Sequence, residues 1–558
     1  MCRGAAVASI THPDAVDVST IANPLLRNAA TMKSTIVRNH AASGDLRSGW
    51  RPSFRAQAAP AAAAEVAPKP TLTPGYSSWR SVPTHRWEGE PAVQGVIPYW
   101  LDGAYLRNGP GQFHVGDHEF KHLFDGYATL VRLHFQKGKL KVTHAQLQSQ
   151  AYTNAMKLGK PFFREFAEAP KKENLLSYFG DLAGMAFGTT LTDNANTGVV
   201  KLGDGRVVCF TETIKGSIQI NPDTLETLGK FEYDDRVGGL IHTPHPFVND
   251  EEFITLIPDL LNPGYSIVRM EAGTNTRKVI GRVKCRGNAV GWVHSFPVTE
   301  NYIVVPEISL KYSVVNLLKS DPCPYYKFDW EPHYESFVHI MDRKTGEEVT
   351  SVEVPPFVTF HFINAYEDVD EATGKVRVIA DCCEHMNRPT ILERMSLASL
   401  REDPKDVIPD ARLGRLIIPL DGSPTGELVT GVPQDCHGRG LDMCTINPLN
   451  MTYKHQYVYA CGAHRPAHFP NMLSKIDVVN GKAVNWYEDG GIPSEPFFVP
   501  RPGARAEDDG VVLSIVSDNK GESFVIILDG PTFTELARAP LPHGLPYGLH
   551  GCWVPNEK

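Results

Sequence analysis

Four histidines stand where histidine is uncommon, inside or at the mouth of apolar strands. His361 sits in Val354-Pro-Pro-Phe-Val-Thr-Phe-His-Phe-Ile-Asn-Ala-Tyr-Glu-Asp368 and His294 in Gly291-Trp-Val-His-Ser-Phe296. His550 sits in Leu545-Pro-Tyr-Gly-Leu-His-Gly-Cys-Trp553, and His245 in Thr243-Pro-His-Pro246. A buried imidazole needs a partner, because an unpaired polar group is costly away from water. For any one of these histidines alone, a backbone carbonyl meets that need as well as a metal ion does. Four neutral imidazoles brought together would hold a divalent first-row ion, leave it its full charge and, in octahedral geometry, leave two further positions open. Their successive separations of 49, 67 and 189 residues suggest different structural units rather than one local loop.

The elements that must gather them are strands. From about residue 85 a strand–turn–strand pattern recurs, in Val131–Val142, Ile220–Phe231, His339–Val352, Lys475–Trp486 and Ile526–Arg538. Each joins two apolar strands through a polar turn holding Asp, Asn or Gly. Loose repetition of such units over hundreds of residues predicts an all-β fold, a β-propeller, with an array of β-sandwiches as the alternative. In a propeller the innermost strands face one axis, where one histidine from each of four blades can meet. One stretch breaks the pattern. Phe162 to Phe187 is rich in Phe and Leu at near-helical spacing, which predicts either a helix capping the core or an apolar lip that dips into a bilayer surface.

Composition narrows the function classes. A formal charge of −9 and a pI near 6.2 give no electrostatic case for nucleic acid. The ten cysteines show no CxxC pair, which predicts reduced thiols. Cys382-Cys383-Glu384-His385 has the wrong spacing for structural zinc and reads as packing. Residues 1–70 carry eight Lys/Arg against four acids, with abundant Ser, Thr and Ala. That is the composition of an organelle transit peptide ending in an Ala/Pro linker, so the folded domain is expected over 71–558. No apolar run reaches the length of a spanning helix.

The motifs Tyr105-Leu-Arg-Asn-Gly-Pro-Gly111, Thr192-Asp-Asn-Ala-Asn196, Trp292-Val-His-Ser-Phe296, Phe360-His-Phe-Ile-Asn364, Pro493-Ser-Glu-Pro-Phe-Phe498 and Leu549-His-Gly551 together resemble the carotenoid cleavage dioxygenases, over about residues 85–556. That resemblance implies a seven-bladed β-propeller with a helical cap over the iron-bearing face. It implies Fe(II) on His245, His294, His361 and His550, with O2 and a carotenoid as substrates. It also implies glutamates behind the ligating rings: Glu212 for His294 and Glu495 for His550. The family's third glutamate falls where this chain reads Arg465-Pro-Ala-His-Phe-Pro470. His361 is therefore expected to lack an acid, with His468, a water or a backbone carbonyl to orient it. Two glutamates against a divalent ion would sum to zero formal charge. Segments such as Val354–Glu367, Leu441–Pro448 and Tyr547–Pro555 further resemble the plastid subfamily carotenoid cleavage dioxygenase 7. This implies cleavage of 9-cis-β-carotene at the 9′,10′ double bond in strigolactone synthesis. A broader carotenoid or apocarotenoid cleavage enzyme is the alternative. A propeller that only binds lipid or protein is a third reading, and it predicts no stoichiometric iron.

Overall fold

All five predicted hairpins form, and each lies within a larger antiparallel sheet. The reason is local turn chemistry. Tyr127–Gln136 and Lys139–Gln146 pair up to Gln136↔Lys139, leaving a two-residue turn. Its residues Lys137 and Gly138 have φ of 50° and 74°, the left-handed values that match a tight hairpin to the strand twist. The computed structural model describes residues 72–170, 179–180, 183–184, 188–313, 328–331, 333–386, 390–402 and 408–556. The expected transit segment, 1–70, lies outside them.

Seven sheets follow one another in chain order as the blades of a β-propeller. The first holds Gly103–Arg107, Tyr127–Gln136, Lys139–Gln146 and Arg86–Gly89. Blades two to seven cover 198–230, 247–284, 302–354, 358–430, 439–487 and 492–540. Two small two-stranded sheets stand apart from the ring sequence. Both ends of the domain latch the ring. The last strand, Gly551–Pro555, pairs with Gly103–Arg107 of the first blade, setting Tyr105 against Trp553. Gln94–Gly95, from the start of the domain, pairs with Arg538 and Ala537 of the seventh. Closure of this kind removes the open edges between first and last blade.

Packing lies between blades. Val304, Val305, Val338 and Ile340 of the fourth blade meet Val358, Val378, Leu416 and Ile418 of the fifth in one buried cluster. Each such side chain, fully buried, contributes about 1.5–3 kcal/mol. The described helices are short: Gln150–Leu158, Ile391–Arg394, Leu397–Arg401 and Gln434–His437. The cap is therefore made as much of loops as of helix. The helix expected over Phe162–Phe187 falls partly outside the described residues; within them, 161–170 is irregular and only 179–180 and 183–184 are helical. Pro161 and Pro170 bracket that irregular stretch, and Pro is poorly tolerated in helix interiors. Phe166 turns inward against Phe124, ring centroids 5.2 Å apart, whereas Phe162 and Phe179 are exposed. Among the described residues no helix is long and apolar enough to cross a membrane.

Candidate metal centre

The four histidines come from four places in the ring and meet. His245 lies just before the strand Phe247–Val248, and His294 lies in the loop leading to Tyr302–Glu307. His361 lies within Val358–Val369, and His550 directly precedes Gly551–Pro555. One ligand atom from each lies within 4.8 Å of all the others. The Nε2 atoms of His245 and His294 are 3.1 Å apart, as are those of His361 and His550. An ion bonded to each nitrogen at about 2.1 Å would separate adjacent ligands by about 3 Å in octahedral geometry, so the donor set fits a first-row cation.

Backbone irregularity aims His361. In a regular strand alternate residues share a face, and an apolar run would send this ring into the core. Pairing between Val358–Val369 and Val376–His385 instead shifts between Thr359 and Phe362, and again between Phe362 and Asn364. These bulges insert extra residues on the His361 strand and redirect its side chains. The next blade repeats the device. Arg439–Thr445 shifts register on either side of Asp442, and Gly440 and Met443 have φ of 71° and 55°. A left-handed methionine costs of order 1 kcal/mol or more, and here it accompanies the turn of Asp442 toward His361.

Three carboxylates stand behind three of the rings. His294 Nδ1 donates to Glu212 Oε1 at 2.9 Å, and Trp292 Nε1 donates to the same oxygen at 3.2 Å. His550 Nδ1 donates to Glu495 Oε1 at 2.7 Å. His361 Nδ1 donates to Asp442 Oδ1 at 2.6 Å, and Asp442 Oδ2 accepts from His385 Nε2 at 2.9 Å. No carboxylate pairs with His245 among the described residues. Such outer partners fix the tautomer that leaves Nε2 free to ligate.

The expectation that His361 lacks an acid is therefore corrected. Asp442 supplies it, a third carboxyl group where two were expected. His468 is buried, with its ring edge-on to Trp79 at 6.4 Å. Since both nitrogens of His361 already face Asp442 and His550, His468 is not needed for the role expected of it. A faint signal for Asp442 was present, as a lone carboxylate between Leu441 and Met443. Cys382 and Cys383 are buried, as expected of packing residues, and Glu384 pairs with Arg412 at 2.7 Å. His385, read as packing, instead reaches the site through Asp442.

Burial, reinforced by the neighbouring imidazoles, holds His245 and His550 well below the usual histidine range. Burial also lowers His294, against the pull of Glu212. Neutral rings are the form a metal needs. At Asp442 burial opposes ionisation, but His361 and His385 outweigh it and hold the carboxyl well below the usual range. Burial pushes Glu495 up to about 8, against the pull of His361.

His294, His361 and His550 line a cavity of about 440 Å3. Phe124, Phe166, Trp292, Phe328, Phe360 and Leu549 are among its mainly apolar walls. Thr211 also lines it, and its hydroxyl lies 3.3 Å from that of Thr197.

A sequence profile of the family described as retinal pigment epithelial membrane protein (RPE65) matches residues 81–555. The chain belongs to this carotenoid oxygenase family. The oxygenase is 58% identical over 483 residues to carotenoid cleavage dioxygenase 8 homolog B, chloroplastic, of Oryza sativa subsp. japonica, covering 86% of this chain and 85% of that protein. It is also 58% identical over 491 residues to carotenoid cleavage dioxygenase 8, chloroplastic, of Arabidopsis thaliana, covering 86% of each. The crystal structure of cobalt-substituted Synechocystis apocarotenoid oxygenase superposes with a TM-score of 0.73 at 23% identity, over 86% of this chain and 98% of that one. That last likeness speaks for the fold. The oxygenase is thus an oxidoreductase of the carotenoid cleavage dioxygenase kind, and the finer resemblance to subfamily 7 is corrected: these relatives carry the number 8.

Proposed function

We propose that His245, His294, His361 and His550 hold Fe(II), with Glu212, Asp442 and Glu495 orienting three of the rings, and that the protein cleaves a double bond of a carotenoid or apocarotenoid. The observation that carries this reading is the convergence of four imidazoles, three of which line a cavity whose walls are mainly apolar. Bound there, Fe(II) would supply the redox chemistry that lets O2 react with an alkene. The chain's own residues do the rest. Trp292, Phe328 and Phe360 exclude water and hold a polyene against the histidines. Burial of the chain, at roughly 0.8 kcal/mol per CH2-sized unit, gives ample affinity without polar contacts.

Cleavage of 9-cis-β-carotene at the 9′,10′ bond is the finer reading; it is implied by the resemblance to subfamily 7, and the relatives that carry the number 8 lend it no support of their own. A plastid location is supported by the relatives named chloroplastic and by the basic, acid-poor first seventy residues. Exposed Phe162 and Phe179 support peripheral contact with a membrane that stores such substrates.

Expression in a β-carotene-accumulating host, with chromatography of the products, tests the reading. Carbonyl products that appear with wild type and vanish with His550→Ala are expected. Equal turnover by His550→Ala, or a purified protein that takes up no iron, would overturn it.

A further inference from the structure

An outer carboxylate orients a ligating ring only if something other than that ring holds it. Glu212 takes such an anchor from Trp292 Nε1, 3.2 Å away. Asp442 needs one as well. Its strand shifts register on either side of it, and the last torsion of an aspartate is broad and roughly two-fold. The Met443 N–H donates to Oδ1 at 2.8 Å, but it belongs to the same irregular strand and moves with it. His361 also donates to Oδ1, and it is the ring to be oriented. That leaves Oδ2, whose donor is His385 Nε2 at 2.9 Å.

His385 is itself well fixed. It ends the strand Val376–His385 and is paired on both sides, with Val358 and with Ala411. Its ring is 6% exposed and packs against Phe360, centroids 4.8 Å apart. His361 rides on the neighbouring strand of the same sheet. Two imidazoles from one sheet therefore clamp between them a carboxylate from the next blade. Because Nε2 of His385 donates, Nδ1 of the neutral ring is left as an acceptor. It has no hydrogen-bond partner among the described residues, and the ring lines the cavity. For packing alone an apolar side chain would serve, as Phe360 does beside it. The one side-chain bond that His385 makes among the described residues is the one to Asp442.

We propose that His385 is a positioning residue of the metal centre: it anchors the outer oxygen of Asp442, and Asp442 so anchored fixes the tautomer and tilt of His361. The assignment rests on the reading of the four histidines as the iron site. It places a residue 24 positions along the chain from His361, and not itself a ligand, in control of how firmly that ligand is held. His385 acts through Asp442 alone, so its effect on the metal vanishes when the carboxylate is gone.

The test is a titration of the full-length protein with Fe(II) in the absence of O2, against a competing chelator, beside urea unfolding of the iron-free protein. His385→Gln places an amide donor where Nε2 stands, His385→Asn is too short to reach Asp442, and His385→Leu has no donor. Iron affinity close to wild type is expected for His385→Gln, and a loss of about tenfold for His385→Asn and His385→Leu. In an Asp442→Asn background His385→Leu is expected to cost no further affinity. A purely structural role would instead lower the unfolding midpoint and leave the affinity of the folded protein unchanged, and that result in His385→Leu overturns the proposal. A further tenfold loss in the Asp442→Asn background overturns it too. If His385→Leu fails to fold, His385→Gln against His385→Asn decides, and equal affinities overturn it. A wild type that takes up no iron overturns the reading of the four histidines, and the proposal with it.

Discussion

Asp442 bridges two histidines of the fifth blade, accepting from His361 at one oxygen and from His385 at the other, at 2.6 and 2.9 Å. His385 lines the cavity, so one carboxylate couples a candidate ligand to the cavity wall. Asp442→Asn keeps the size, removes the charge and offers one acceptor where there were two. Loss of such an outer partner costs about 10–100-fold in metal affinity or activity. Iron titration followed by product chromatography should show that loss, and unchanged iron affinity would show that Asp442 does not orient His361.

His468→Ala should leave the stoichiometry of bound iron unchanged, since the Nδ1 of His361 is already engaged by Asp442. The variant removes a buried ring beside Trp79 and should cost stability alone, of order 1–3 kcal/mol. Metal analysis of the purified variant beside a urea unfolding curve separates the two effects. Loss of iron without loss of stability would contradict the geometry.

Gly548 and Gly551 flank the Leu-His pair because there is no room for a side chain. A Cβ at Gly548 would meet the Arg107 guanidinium at 1.9 Å, and one at Gly551 would meet the Leu106 carbonyl at 2.3 Å. Arg107 is buried and donates to Pro546 O at 3.1 Å and to Ser494 Oγ at 3.2 Å. It thereby ties the segment carrying Glu495 to the one carrying His550. Gly548→Ala should destabilise by about 1–3 kcal/mol or more and lower iron content as well. A variant as stable as wild type would show that Arg107 yields freely.

Stability should fall on mild acidification, and His144 supplies part of the slope. Its Nε2 lies 2.9 Å from that of His543. Burial, with help from His543 and Arg86, lowers it to about 4. The unfolded chain takes up the proton near the ordinary pKa of about 6.5, so between there and about 4 the unfolded state holds more protons and stability is lost as pH falls. The full effect is about 3 kcal/mol at 1.36 kcal/mol per pKa unit. Urea midpoints measured from pH 7 to 4.5 should decline less steeply for His144→Gln than for wild type. Parallel declines would remove His144 from the account.

The parts that were legible in the sequence were local or tied to a motif. The Lys137-Gly138 turn joins two strands adjacent in the chain, with Gly138 free to take its left-handed φ, so Val131–Val142 could be read without the rest of the chain. Glu212 and Glu495 were found because each sits in a short motif. Asp442 was not, since its meeting with His361 depends on bulges in two strands, which no period in the sequence announces. The cavity was invisible for a similar reason. Its walls are assembled from segments as distant as Phe124 and Leu549.

The double latch of the ring gives the site an order in time. His550 is the last of the four histidines in the chain, and the strand that follows it closes the first blade. Six blades and three imidazoles can emerge from a ribosome while the centre still lacks its fourth donor. A chain cut short before His550 would lack both this imidazole and the strand that closes the first blade. Closure of the ring and assembly of the four-histidine cluster are the same event.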